Sequence, residues 1–416
     1  MNTIMLRIKQ DFAGLVNEIL DQFPVSVWTS ETSTFLDPEI GGGQIVREIV
    51  HRLRAAGHTD ENINNRVFGL TTKLGVELVK KHHKLPGTYI VQDFLTWETN
   101  MEFDVIVGNP PFQNENIKDT EAKRKVGNKL WYQFIFAADG LVKKDGYVAM
   151  VSPNQWLSGG VQMRKGGLGV LKDIFAKKQL LVATVNGVTQ KYFKGIGISI
   201  GWWVYQNCPV TNTTTLNLGP TTCQVDFKDL QFLTPDATEE SISIVSKTLL
   251  STNPKFDTYY FNSYCKPGDH DETIEATAIN QFPHWIMGSD VSNNLVVRYF
   301  PRVLNTRVAY EKIVFPMSTR YWQPFLADAT TSVASLGQAL KVETGTTQAG
   351  FKSVFYSKLF TYLCFNLQIA QNGFMKTVLV KALPKLDMTR TWTDEELYAH
   401  FDLTPEEIEY IEANVT

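Results

Sequence analysis

The sequence predicts an α/β protein with a doubly wound sheet, followed by a second, irregular α+β domain. Three observations carry this expectation. Strand-length apolar runs alternate with helical stretches from Phe35 to about Gln206, the pattern of strands connected through helices. The run Thr34-Phe35-Leu36-Asp37 passes through Gly41-Gly42-Gly43 into a helix, a strand-to-helix turn of the kind that lets a ligand approach the backbone. Beyond about residue 225 the alternation loosens into aromatic, turn-rich segments. The boundary is therefore placed between domains of residues 1–225 and 226–416.

The elements follow in order. Residues 1–22 are charged and amphipathic and read as a helix. Strands are expected at 34–37, 66–70, 88–92, 103–108 and 146–152, with helices at 44–56, 73–83 and 128–143 between them. Residues 167–178 read as a helix, 180–185 as a strand, and 198–204 as a further apolar strand. Residues 207–222, rich in Thr, Asn and Pro, form a hairpin or a linker. In the second domain, aromatic segments occur at Tyr259-Tyr260-Phe261, His284-Trp285-Ile286 and Val314-Phe315-Pro316, and residues 357–368 read as a helix. Thr393-Asp394-Glu395-Glu396 and Thr404-Pro405-Glu406-Glu407 are capped helix starts: a Thr at the cap, a Glu three residues on, and in the second case a Pro at the first helical position.

Composition bounds the function without naming it. With 416 residues, 43% hydrophobic and 20% charged, the chain has the makings of two globular cores. No apolar run reaches the length of a membrane span, and the first 22 residues do not form a signal peptide, so a cytoplasmic location is expected. Cys208, Cys223, Cys265 and Cys364 show no C-x-x-C spacing, which points to a reducing compartment and no metal site. Cys265 and His270 flank Pro267-Gly268 and read as loop residues. A net charge of −3 lacks the overall basic footprint of a nucleic-acid binder, yet local patches exist. Lys118, Lys123, Arg124 and Lys125 cluster, as do Arg164 and Lys165. Arg298, Arg302, Arg307, Lys312 and Arg320 are interleaved with Tyr299, Phe300, Tyr310, Tyr321 and Trp322, a mixture suited to phosphates and bases or to a solvated face.

The chemistry concentrates in Asn109-Pro110-Pro111-Phe112, directly after the run Phe103–Gly108. Two prolines stiffen the turn and leave its carbonyls without local N–H partners. The Asn109 side-chain oxygen and the Pro110 carbonyl could accept both hydrogens of one planar amino group, drawing its nitrogen toward tetrahedral geometry and freeing the lone pair. Phe112 could lie flat on the attached ring, as aromatic side chains do on extruded bases. Asp37, ahead of the glycines, suits a ligand with an ammonium rather than a pyrophosphate. Asp93-Phe94, after the strand Tyr89-Ile90-Val91, stand at another strand end, where ligands sit on α/β sheets.

These motifs resemble the amino-group class of S-adenosylmethionine-dependent DNA methyltransferases, within it the N6-adenine enzymes related to the TaqI modification methylase. Phe35-Leu36-Asp37-Pro38-x-x-Gly41-x-Gly43 is similar to their cofactor motif and Asn109-Pro110-Pro111-Phe112 to their catalytic motif, while Asp93-Phe94 look like the residues beside the cofactor adenine. Residues 128–134 and 146–153 are similar to the helix and strand that follow the catalytic loop. The short spacings also look like those of phage-encoded members. The resemblance is strong over residues 30–160 and thin beyond about 205. It implies a Rossmann-like sheet with a C-terminal target-recognition domain, S-adenosyl-L-methionine as cofactor, double-stranded DNA as substrate, and room for a cognate restriction endonuclease as partner to a monomer. Asn109, Pro110, Pro111 and Phe112 are then catalytic; Asp37, Gly41, Gly43, Thr71, Asp93 and Phe94 hold the cofactor. Phe193, or alternatively Tyr192, covers the second face of the flipped adenine or is a core aromatic.

Two departures stand out. The family's acidic residue at the end of the second strand is replaced by Leu70-Thr71-Thr72, so Thr71 or Thr72 substitutes, the ribose is held from elsewhere, or affinity falls. The upstream Thr-Pro pair is also missing; Trp28-Thr29-Ser30 lies there, and Trp28 reads as a core residue. Asn-Pro-Pro-aromatic is shared with RNA amino-methyltransferases acting on adenine N6 or guanine N2, and with protein-glutamine methyltransferases, whose extra domain tends to lie in front. A catalytically lapsed DNA-binding relative has only the Thr71 departure in its favour.

Overall fold

The computed structural model describes residues 12–112, 130–154, 174–193, 200–226, 232, 237–257, 259–262, 275–279, 281–287, 295–300, 309–316, 324–333, 337–366 and 377–415. The chain divides into two compact units, one of residues 1–157 and 162–230 and the other of residues 158–161 and 231–416.

The first unit is built on a nine-stranded, mostly parallel sheet in the order β3-β2-β1-β4-β5-β7-β6-β8-β9. Its strands are β1 (Phe35–Asp37), β2 (Val67–Thr71), β3 (Thr88–Val91), β4 (Phe103–Gly108), β5 (Val142–Pro153), β6 (Gln179–Thr184), β7 (Ile200–Gln206), β8 (Thr214–Asn217) and β9 (Thr222–Val225). β1 pairs in parallel with both β2 and β4, β2 with β3, and β4 with β5; β7 runs antiparallel between β5 and β6. This is the doubly wound, Rossmann-like α/β fold expected. The winding reverses between β1 and β4, and the carboxyl ends of strands at such a reversal are where a crevice opens.

Helix α1 (Ala13–Leu20) lies within the span expected to be helical, and α2 (Gln44–Ala55) follows the glycine turn. In α2, Ile45, Val46, Ile49, Val50 and Leu53 recur at helical spacing and are buried. α3 (Lys73–Glu77) continues as a π-helical turn, Leu78–His82, and α4 (Trp131–Asp139) precedes β5. α4 stops earlier than its apolar pattern suggests. After Gly140, Val142 pairs with Phe103, so β5 begins where the helix was expected to continue, and a register shift follows between Phe103 and Val105. Of the two readings of the Thr- and Asn-rich stretch after residue 207, the structure shows the hairpin: β8 and β9 pair antiparallel, and β8 also pairs in parallel with β6, so the hairpin extends the main sheet.

The core of this unit joins α1, α2 and the sheet. Trp28 is in it, stacked on Phe35 with centroids 5.5 Å apart and an Arg52 guanidinium 5.3 Å from its ring. The second unit is α+β, with a four-stranded sheet in the order β10-β16-β13-β14 and a three-stranded one in the order β12-β11-β15. These strands are β10 (Tyr259–Asn262), β11 (Phe282–Met287), β12 (Leu295–Phe300), β13 (Lys312–Pro316), β14 (Phe325–Ala327), β15 (Ser332–Val333) and β16 (Gly337–Lys341). The aromatic segments singled out in the sequence thus fall on β10, β11 and β13. Around them pack α5 (Glu239–Thr248), α6 (Gln348–Phe355), α7 (Asp394–His400) and α8 (Pro405–Asn414). Both expected capping boxes form: Thr393 with Glu396, and Thr404 with Glu407. The expected helix from residue 357 is a short α-turn, Lys358–Thr361, running into a π-helical turn, Tyr362–Asn366.

Gly75 shows how tightly α3 sits on β2. A Cβ there would lie 2.0 Å from Thr71 Oγ1 and 3.0 Å from Thr71 Cβ. Alanine favours a helix by ~1 kcal/mol over glycine, but overpacking of this severity costs about 1–3 kcal/mol. Gly75→Ala therefore lowers the midpoint of thermal unfolding, whereas Gly42→Ala, whose Cβ would meet nothing within 4 Å, leaves it nearly unchanged; calorimetry on the two variants checks the contrast.

Candidate active site at the carboxyl ends of β1 and β4

Two loops meet at the point of reversal. β1 ends at Asp37 and β4 at Gly108, with Leu36 paired to Ile106. The loops touch because Gly108 lacks a side chain: a Cβ on it would lie 2.8 Å from Pro38 Cγ. Gly69 on β2 does the same on the other side, where a Cβ would lie 2.4 Å from Ile40 Cδ1. Glycines inside strands commonly mark such close approaches. They are the site-building residues that the sequence motifs alone did not reveal.

The glycine turn has a backbone reason for its composition. Gly41 and Gly43 have φ of 54° and 79°, in the left-handed region where a side chain is strained. Gly43 is the N-cap of α2 and supplies no side-chain cap, so the first N–H groups of the helix are not taken by one. Gly41, Gly42 and Gln44 line a solvent-open cavity together with Asn109. Glu39, Ile40, Ile45 and Val151 complete one side; Phe12, Leu15, Val16 and Ile19, from α1 and the residue before it, form the facing wall. The α1 wall had no local signal beyond its amphipathic pattern.

Asp37 is 1% exposed. Its Oδ1 accepts the Glu39 N–H at 3.1 Å, while its Oδ2 is buried with no hydrogen-bond partner. Burial pushes its carboxyl up to about 8, reinforced by the neighbouring Glu39 charge and opposed by the Glu39 N–H. A buried carboxylate with one empty acceptor is costly unless a donor arrives. The arrangement fits a positively charged nitrogen, and hence the ammonium of S-adenosylmethionine.

The other expected site residues divide sharply. Pro110 is buried, and Asn109, Pro111 and Phe112 are half-buried. Phe112 packs against the core, and its carbonyl accepts from Leu130 N at 3.0 Å. Asp93 is exposed and uses Oδ1 to cap the turn Phe94–Thr96 through Leu95 N at 2.9 Å. Phe94 is 4% exposed, its ring 5.3 Å from that of Phe134, so it is a core ring rather than an open stacking face. Phe193 is likewise packed inside, 5.5 Å from the Phe12 ring; of the two readings of this residue, the structure shows the core aromatic. Thr71 is buried under Gly75, and the Thr72 hydroxyl accepts Gly75 N–H as the N-cap of α3. At the β2 end, Thr71 is buried and packs on Gly75, while the exposed Thr72 caps α3.

Most of the basic and aromatic residues singled out for nucleic acid lie outside the described residues: Lys118, Lys123, Arg124, Lys125, Arg164, Lys165, Arg302, Arg307, Arg320, Tyr321 and Trp322. Lys312 is described, and it is not a phosphate contact. It is fully buried, donates to the carbonyls of Tyr310 and Asp328, and burial lowers its ammonium to about 8. Among the described residues no cluster of His, Cys, Asp or Glu could hold a metal ion, and Cys208 and Cys364 are free thiols. No described helix is long and apolar enough to cross a membrane.

Asp37 makes stability depend on pH. Its folded value of about 8 lies above the unfolded ~3.9, so its protonated form favours folding; that contribution is full below pH ~4 and is lost as pH rises through 8. Asp37→Asn therefore gains stability relative to the wild type as pH climbs from 5 to 8, by at most ~1.4 kcal/mol per pH unit, and no further above it. Denaturant titrations of both proteins across that range measure the difference; a constant gap would remove the burial argument.

Comparison with known proteins agrees with the motifs. Residues 46–174 match the family of Eco57I restriction-modification methylases. A type II methyltransferase, M.CvrRI of Paramecium bursaria Chlorella virus XZ-6E, is 29% identical over 104 residues, which cover 25% of this chain and 23% of that protein. The chain thus aligns with less than a quarter of this curated relative. Among solved structures, the type IIG restriction endonuclease BpuSI aligns with 97% of this chain and 59% of its own at 9% identity and a TM-score of 0.42. The M protein of the type I restriction enzyme EcoKI aligns with 49% of this chain and 46% of its own, at 16% identity and a TM-score of 0.37. Over residues 46–174 the chain is therefore related to the restriction-modification methylases, the kind of enzyme its own motifs resemble.

Proposed function

We propose that this protein transfers a methyl group from S-adenosyl-L-methionine to the N6 amino group of adenine in double-stranded DNA, acting on a base turned out of the helix. One observation carries the reading: Asn109 and the glycine turn line the same cavity, and that turn follows β1, which ends at Asp37 with its Oδ2 buried and without a hydrogen-bond partner. An amine clamp and an ammonium-binding turn in one cavity suit methylation of a planar NH2 group.

When bound, the cofactor supplies an already activated methyl on its sulfonium, so the protein's task is alignment and exclusion of water. Asp37 accepts from the ammonium, and Gly41 and Gly43 give the backbone close access. Asp93, exposed just after β3, accepts from the cofactor adenine. Asn109 Oδ1 and the Pro110 carbonyl accept the two amine hydrogens of the target, Pro111 stiffens the loop, and Phe112 stacks on the base. The amine proton leaves to solvent after transfer. No step requires a metal. A cognate restriction endonuclease is the natural partner of such an enzyme, and the cytoplasm its natural location.

Two outcomes test this. Asn109→Ala retains cofactor binding but loses at least about tenfold in methyl transfer, a loss the amine clamp demands because one acceptor of the pair is gone. Phe112→Ala slows transfer by roughly tenfold, the worth of one base–aromatic stack, while Phe112→Trp is milder. Transfer of tritiated methyl from the cofactor to duplex DNA, structured RNA and protein, followed by nucleoside analysis, measures both. Label on RNA guanine or on glutamine instead of DNA adenine would overturn the assignment.

A further inference from the structure

The wall formed by α1 has a second face, and that face is fastened. Leu15, Val16 and Ile19 face the cavity and are almost fully buried. Gly14 and Glu18, one turn apart on the same helix, meet the segment Lys191–Phe193 from far along the chain. Glu18 Oε1 accepts from Tyr192 Oη at 2.7 Å and from Lys191 Nζ at 2.8 Å. Lys191 Nζ also lies 4.7 Å from the centre of the Tyr192 ring. Gly14 makes room for the tyrosine: a Cβ there would lie 2.8 Å from Tyr192 Oη. At the head of the helix the Phe12 ring, which lines the cavity, rests on Phe193 at 5.5 Å. A further polar tie is Arg52, whose Nη2 donates to Asn17 Oδ1 at 3.1 Å and pairs with Asp21 at 2.7 Å.

We propose that Tyr192 and Glu18 are positioning residues for cofactor binding: their hydrogen bond holds α1 against the cavity, and so fixes the wall formed by Phe12, Leu15, Val16 and Ile19. The proposal deepens the functional reading above and rests on it for the identity of the ligand. Neither side chain is among the residues lining the cavity. Their effect passes through the helix, whose two faces move together because i and i+4 positions on one turn are rigidly related to the positions between them. A charge-assisted hydrogen bond spanning 174 positions in sequence is also a closure that local helix propensity cannot replace.

Tyr192→Phe keeps the ring and removes the donor. It weakens binding of S-adenosylmethionine by about fivefold or more, part of what a charge-assisted hydrogen bond is worth. The Michaelis constant for the cofactor rises correspondingly, while turnover at saturating cofactor and affinity for DNA stay as in the wild type. Gly14→Ala drives a methyl into the tyrosine hydroxyl and has a similar effect, but in the Tyr192→Phe background it adds little, since the clashing oxygen is gone. Calorimetric binding isotherms for the four proteins read these effects. Hydrogen exchange of residues 13–20 without any ligand provides a second measure and rises in Tyr192→Phe. Unchanged cofactor affinity in Tyr192→Phe, in a wild type that binds it, overturns the proposal, as does unchanged exchange in α1. Faster exchange in the variant of a protein that binds no S-adenosylmethionine would instead uphold the latch and defeat the functional reading.

Discussion

The site depends on one steric constraint, the contact between the turn after β1 and the end of β4. Parallel strands at the reversal of a doubly wound sheet bring their carboxyl ends side by side, but side chains ordinarily hold the following loops apart. Here Gly108 gives Pro38 a seat that any Cβ would deny it, and Gly69 does the same for Ile40. The Asp37 carboxylate and the Asn109 amide are thereby anchored to two strands in fixed register rather than to independent loops. Precision at an active site is better obtained from sheet than from loop, and this arrangement takes it from the sheet.

Against that rigid floor, Asp37 is held in tension. Its Oδ2 is buried without a protein donor, and its carboxyl is raised to about 8 by the burial that makes it useful. A group of this sort is poorly satisfied alone and well satisfied by a cation, so stability is yielded where binding needs it. Lys312 in the second unit presents the opposite solution to a buried charge. Two carbonyls receive its ammonium, and it serves the fold alone.

Much of this was legible in the sequence, for identifiable reasons. The sheet was readable because its strands are apolar runs bounded by turns, and Gly41 and Gly43 were readable because left-handed backbone requires them. The capping boxes at Thr393 and Thr404 were readable because their chemistry is local. Side-chain direction was not legible. Phe94, Phe193 and Thr71 occupy the positions that the motifs suggested, yet all three turn inward, since a position at a strand end does not reveal which neighbour will cover it. Gly75, four residues past Thr71, is what buries that hydroxyl, and no local pattern announces the pairing. The wall contributed by α1 was hidden for a related reason: an amphipathic helix declares that it has an apolar face, not what the face encloses.

The capped helices α7 and α8 have a bearing on how the protein is made. Leu397, Phe401 and Ile411 belong to the same core as Ile244, Val245 and Leu340, and Lys247 on α5 reaches both Glu407 and the carbonyl of Asp402. The second unit therefore lacks part of its interior until residue 411 has left the ribosome. Among the described residues, the first unit's buried core ends at Val225, long before residue 411 in synthesis. Domains emerging in sequence fold as units, and here the catalytic layer can reach its packed state while the other unit is still an open chain. Polypeptide released short of α8 would carry a finished sheet attached to an unsealed aromatic core, the kind of species that quality control recognises by its exposed apolar surface.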